Sequence, residues 1–156
     1  MIGTYANTKA ELNIAQLRLN ELMTEKEVLY TKYFPLTSKT EEVSAHTNKR
    51  SDPMADYIAE LTKVNPITGI SLDQEIEEQR NKVNRLDYCI RQMDYVLENT
   101  TGIENELFKL VVVKGRSKTK AVDIVAEKYD KEPRTIWEYH YPKIKKEIDK
   151  CSVKVQ

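Results

Sequence analysis

The sequence predicts an all-α protein, with long paired helices in its first two thirds and a compact group of three shorter helices after them. Three observations carry this expectation. Only four Gly and five Pro in 156 residues leave little room for the tight turns of an all-β fold. Hydrophobic residues make up 40% and charged residues 32% of the chain, a balance that suits exposed helices better than a thick core. Apolar residues recur at alternating three- and four-residue spacing in two separate stretches, the period of one helix packing on another.

The first helix is expected to open at Thr8. Thr8-Lys9-Ala10-Glu11 fits a capping box, in which the two side chains satisfy orphan backbone amides. Leu12, Ala15, Leu19, Leu22, Leu29 and Tyr33 then form a seam of about three heptads, with Lys26 at the one polar position. Pro35 follows Phe34 and stops the helix. Residues 35–52 are polar and read as a loop. Asp52 as cap and Pro53 as first helical residue open a short helix over 53–64, with Met54, Ile58 and Leu61 on its packing face. Asn65-Pro66 and Thr68-Gly69 end it with turn chemistry.

Ser71 and Gln74 form a second capping box before the longest helix, 72–99. Its seam interleaves Ile76, Val83, Ile90 and Leu97 with Leu72, Gln79, Leu86 and Met93. Gln79 is the one polar member. It either specifies register and partner number or faces solvent near a fraying end. Two seams of similar length allow two solutions: they pair within one chain, or one of them pairs with its twin in a second chain. Thr100-Thr101-Gly102 reads as a hinge. Residues 1–101 are therefore expected to be a helical oligomerisation or partner segment, residues 102–150 a separate domain and residues 151–156 a tail.

The domain at 102–150 reads as a helix-turn-helix with one helix before it. Ile103–Val113 places Ile103, Leu107, Leu110 and Val111 inward, and Gly115 supplies the exit turn. Ser117 caps a middle helix, Lys118–Lys128, with Ala121, Ile124, Val125 and Ala126 inward. Tyr129-Asp130-Lys131 breaks the pattern, and Pro133 stands where the first residue of a new helix belongs. In that last helix Ile136, His140, Ile144 and Ile148 recur at spacing four, the expected buried face. Arg134, Thr135, Trp137, Glu138, Tyr141 and Lys145 are then left for the major groove of double-stranded DNA, with Arg134 in the first turn, where side chains reach base edges. Trp137 either meets DNA or covers the junction between domains. Lys114, Arg116, Lys118 and Lys120 cluster at the start of the middle helix and read as phosphate contacts. Pro142 removes a hydrogen bond to the carbonyl of Glu138 and is expected to kink the helix.

Charge follows the same division. Residues 1–101 hold 12 Lys/Arg against 16 Asp/Glu, and residues 102–156 hold 13 against 9, so the basic half is the one that would meet a polyanion. His140 lacks a ligand partner four residues on, and Cys89 and Cys151 lie in no metal or redox spacing. No catalytic constellation is spelled out, so the expectation is a non-enzyme without a cofactor. No apolar run approaches a membrane span and no signal pattern precedes the first helix, which predicts a cytoplasmic protein with no membrane partner.

Residues 103–149, with their Thr135-Ile136-Trp137 entry into the last helix, resemble region 4 of sigma factors. The whole plan is more specific: an N-terminal helix, a loop leading to SDPMADYI, a long helix and then this unit resemble the ArpU-type and RinA-type phage transcriptional regulators. The resemblance implies a late-gene activator in a bacterial host cell. It places phosphate contacts at Lys114, Arg116 and Lys118, and the recognition surface at Arg134, Thr135, Trp137, Glu138 and Tyr141. As an activator of this kind the chain is expected to be a homo-oligomer, a dimer, whose 8–99 helices either dimerise or meet bacterial RNA polymerase. Glu132 at the usual small polar cap and Pro142 inside the last helix depart from the pattern. Two other readings share the layout: a phage small terminase subunit, which would form a ring of many copies, and a helical adaptor that binds no DNA.

Overall fold

The computed structural model describes residues 4–35 and 52–151. Among them it is all-α. The elements are α1 (Tyr5–Tyr33), α2 (Pro53–Thr62), α3 (Leu72–Asn99), α4 (Gly102–Phe108) running into a π-helical segment π1 (Lys109–Val113), and α5 (Lys118–Lys128). The last helix is α6 (Pro133–Thr135), π2 (Ile136–His140) and α7 (Tyr141–Cys151) in one continuous run. The expected loop at 35–52 falls, but for its two ends, outside the described residues.

Local chemistry explains most element ends. Asp52 accepts a hydrogen bond from the Met54 amide, and Pro53 follows at the first helical position. Ser71 and Gln74 exchange hydrogen bonds, at 3.1 Å from the Ser71 amide to Gln74 and at 3.3 Å back, which is the capping box at the head of α3. Between α2 and α3 the Asn65 side chain accepts from the Ile67 amide, and Gly69 supplies φ +74. The start of α1 differs from expectation. The helix begins at Tyr5, and the hydroxyl of Thr4, not Thr8, accepts the capping bond from Asn7 at 3.2 Å. Thr8 is buried four residues before Leu12, in line with the seam, and its hydroxyl donates to the Thr4 carbonyl.

The chain forms two compact units, residues 14–83 and residues 1–13 with 84–156. In the 14–83 unit the seams of α1 and α3 meet within one chain. The Gln79 amide donates to the Ala15 carbonyl at 3.0 Å, Arg18 pairs with Glu75 at 2.7 Å, and Lys26 pairs with Asp73 at 3.3 Å. The order of these contacts is antiparallel. Gln79 is thus a packing residue whose polar end finds a backbone partner. Ala15, Leu22, Leu61 and Ile76 are buried there. On α2 the buried residues are Tyr57 and Leu61, while Met54 and Ile58 stand about half exposed, which corrects the expected face. Tyr57 is held by aromatic neighbours, its ring lying 5.6 Å from that of Tyr30 and 6.2 Å from that of Phe34.

In the other unit one core joins the end of α3 to everything after it. Met93 and Val96 share a cluster with Leu107, Phe108, Val111, Val122, Val125, Ile136, Ile144 and Ile148. Asn105, itself buried, donates to the carbonyls of Leu97 and Thr100 and so closes the C-terminal end of α3. The Thr100–Gly102 turn is therefore not the border between compact units. Two residues of α3 bury their side chains in the core on its far side, and burial outweighs the turn chemistry. On α5, Ala121, Val122, Val125 and Ala126 face inward, with Val122 in place of the expected Ile124, which is 40% exposed.

Candidate nucleic-acid interface

The basic cluster sits where π1 passes into α5. The Lys114 amide bonds the Lys109 carbonyl five residues back, Gly115 turns at φ +63, and the Arg116 amide returns to the Leu110 carbonyl at 2.8 Å. This fixes the backbone while leaving the Lys114 and Arg116 side chains exposed. Ser117 then caps α5 in extended conformation, accepting from the Lys120 amide. Lys120 points to solvent. Lys118 does not do so freely: its ammonium lies 3.5 Å from Asp149 and 5.8 Å from the centre of the Tyr141 ring, tying the start of α5 to α7.

The turn after α5 is a Schellman motif built on a non-glycine residue. Asp130 adopts φ +50, its amide bonds the Glu127 carbonyl, and the Lys131 amide bonds the Ala126 carbonyl at 2.9 Å. Glu132 takes the extended cap conformation without a side-chain capping bond, and Pro133 opens the last helix. The first turn of that helix carries no buried residue. Arg134 projects from it with its side chain 82% exposed and its Nε 2.6 Å from Glu138. Thr135 is half-buried and Lys145 is exposed.

The π2 segment rearranges the face expected from spacing four. A π turn bonds i to i+5, here the Tyr141 amide to the Ile136 carbonyl, and so inserts one residue per turn. The inward positions become Ile136, Tyr141, Ile144 and Ile148, and His140 is rotated to the edge. Tyr141, expected at the groove, is only 6% exposed and belongs to the core. Trp137 is 37% exposed and leans on Tyr141 with ring centres 4.7 Å apart, so half of the indole is spent on packing. Tyr139 is exposed on the same segment, a residue that the spacing-four face did not single out. The wide turn also explains how the helix passes Pro142. An α register would drive the pyrrolidine ring against the Glu138 carbonyl, and the π turn immediately before it opens that space, so the helix continues to Cys151.

His140 finds its partner on α4. Its Nδ1 lies 3.0 Å from Glu104, and Lys143 reaches the same carboxylate at 3.5 Å. Burial alone would raise the Glu104 carboxyl, but the His140 hydrogen bond, its backbone bond and Lys143 outweigh that and hold it below the ordinary glutamate range. Burial, with Glu147 nearby, pushes the Cys151 thiol up to about 11, so it stays protonated near neutral pH. Among the described residues no group of His, Cys, Asp and Glu is placed to hold a metal ion, and no helix is long and apolar enough to cross a membrane.

Comparison with known proteins returns no matching family model, no similar curated protein and no similar solved structure. The geometry therefore stands by itself. It brings Arg134, Glu138 and Lys145 to the exposed side of the last helix and sets Lys114, Arg116 and Lys120 around the start of α5. It withdraws Tyr141 and partly withdraws Trp137 and Lys118.

Proposed function

We propose that the chain is a sequence-specific DNA-binding transcriptional regulator, a phage or prophage late-gene activator, that sets the helix beginning at Pro133 into the major groove of double-stranded DNA. One observation carries the reading. A capped helix, a four-residue turn at 129–132 and a second helix follow one another, and none of Pro133, Arg134 and Thr135 at the start of the second helix is buried while the rest is anchored by Ile136, Tyr141, Ile144 and Ile148. A groove-reading helix needs this division, an anchored body and a free N-terminal end. Arg134 offers a bidentate donor for guanine, and Glu138 four residues on offers an acceptor for cytosine. Lys114, Arg116 and Lys120 offer phosphate contacts that set orientation without reading sequence. In this reading the protein works in the cytoplasm of a bacterial host, and its remaining helices serve oligomerisation or contact with RNA polymerase.

The test is selection of bound sequences from random DNA, followed by titration at several salt concentrations. Arg134→Ala should erase preference for the selected site by about 1–3 kcal/mol, and Lys120→Ala should weaken binding to all DNA and lower the salt slope by about 1. Equal binding by wild type and both variants, or no salt-dependent binding at low ionic strength, refutes the proposal.

A further inference from the structure

Arg134 stands where helix energetics alone would not put it. It lies in the first turn of the last helix, where the helix dipole disfavours a cation, and that turn holds no acidic residue. Its partner is Glu138, four residues on, whose Oε1 lies 2.6 Å from the Arg134 Nε. Cation before anion is the weaker order for such a pair on a helix, and a pair this exposed adds little to stability. What the bond does is fix direction. It holds the guanidinium by its inner nitrogen and restrains the plane of the group. Both terminal nitrogens, Nη1 and Nη2, have no partner among the described residues. A rigid fork of N–H donors is thus left free at the exposed end of the helix.

We infer that, on the groove reading, on which this rests, Arg134 and Glu138 recognise one G·C base pair as a unit: Arg134 makes the guanine contact and Glu138 is the residue that positions it. Guanine presents two acceptors, O6 and N7, side by side in the major groove, and the free Nη fork matches them. Phosphate oxygens would match the fork too, but the Glu138 carboxylate beside it is repelled by the charge of the DNA backbone. Over a G·C pair the same carboxylate is favoured, because cytosine presents its N4 amino group there as a donor. Adenine offers an acceptor and a donor, and the donor would oppose an Nη group. The Glu138 bond also restricts a long, flexible side chain in the free protein, so less ordering remains to be done when DNA arrives.

The experiment uses the full chain and the DNA site selected for wild type, with each base pair of the site replaced in turn. Arg134→Ala should lose preference at one G·C pair by about tenfold or more, and 7-deazaguanine at that pair should cost wild type a similar factor, since it lacks the N7 acceptor. Glu138→Ala should lose preference at that same pair while binding unrelated DNA at least as tightly as wild type, a split that a misfolded helix would not give. Adding it to Arg134→Ala should cause no further loss of preference. Glu138→Gln keeps an oxygen that can accept from Nε and should retain more of the preference than Glu138→Ala. Without DNA, hydrogen exchange at the Arg134 Nε, followed by NMR, should be slower in wild type than in Glu138→Ala. A loss in Arg134→Ala that is equal for all sequences assigns the arginine to a phosphate and overturns the inference. So does a Glu138→Ala loss that falls on a different base pair, or equal Nε exchange in the two proteins. Each of these results leaves site-selective, salt-dependent binding by wild type in place, whereas absence of that binding defeats the groove reading and this pairing with it.

Discussion

Asn105 is a small residue on which much of the C-terminal unit is predicted to depend. It is 8% exposed, and its carboxamide nitrogen lies 2.8 Å from the Leu97 carbonyl, 2.9 Å from the Thr100 carbonyl and 3.1 Å from the Thr100 hydroxyl. The Leu97 carbonyl is one of the last four of α3, which have no acceptor role within the helix. Asn105→Ala removes the donor and strands two carbonyls near a buried site. With about 1 kcal/mol for each lost bond and a further desolvation cost for the stranded carbonyls, the loss should be about 2–3 kcal/mol. In a chain of this length that lowers the melting temperature by about 5–10 °C. Urea titration and thermal scans followed by circular dichroism measure it. Asn105→Asp separates hydrogen bonding from packing, since it keeps the shape and at neutral pH has no donor; it should cost at least as much as Asn105→Ala. A loss below about 0.5 kcal/mol in both variants, the level of an ordinary surface change, would refute the argument.

The other expectations concern backbone and charge. Asp130→Gly relieves the left-handed conformation at φ +50 and should stabilise by about 1 kcal/mol in urea titration. Gly115→Ala meets the opposite case, φ +63 with the Thr4 methyl 2.5 Å from the new Cβ, and should cost about 1–2 kcal/mol by the same assay. Glu104 has a folded-state pKa below its ordinary value of 4.5, so its contribution to stability is present above that value and is lost as pH falls through the lower folded one. Stability of Glu104→Gln measured from neutral to acid pH should therefore fall less steeply below the ordinary value than that of wild type.

Capping was legible because it is local. Asp52 with Pro53, Ser71 with Gln74, Ser117, and Gly115 each act within a few residues, and each does in the structure what its pattern implies. Thr8 shows the limit of that logic. Its Thr-x-x-Glu pattern is a valid capping box, but the helix extends back to Tyr5, whose hydroxyl bonds Asp94 at 2.9 Å and whose ring packs on the core. Tertiary contact outweighed a local signal of about 1 kcal/mol. Ile124 and Val122 exchange roles on α5 for a related reason, since both fit helical periodicity and only the neighbouring helices decide which is covered.

The candidate interface divides in the same way. Residue types alone determined that the chain is helical, that α5 and the last helix are separated by one turn, and that the basic residues gather beside that turn, because propensity, caps and charge are written position by position. The tertiary structure decided which side of the last helix is free. Two π turns, one before Lys114 and one before Pro142, each shift the face by one residue, and the second exchanges His140 for Tyr141 in the core. No periodicity read at 3.6 residues per turn can place such a shift, because its energy comes from burying Tyr141 and passing a proline within a packed core.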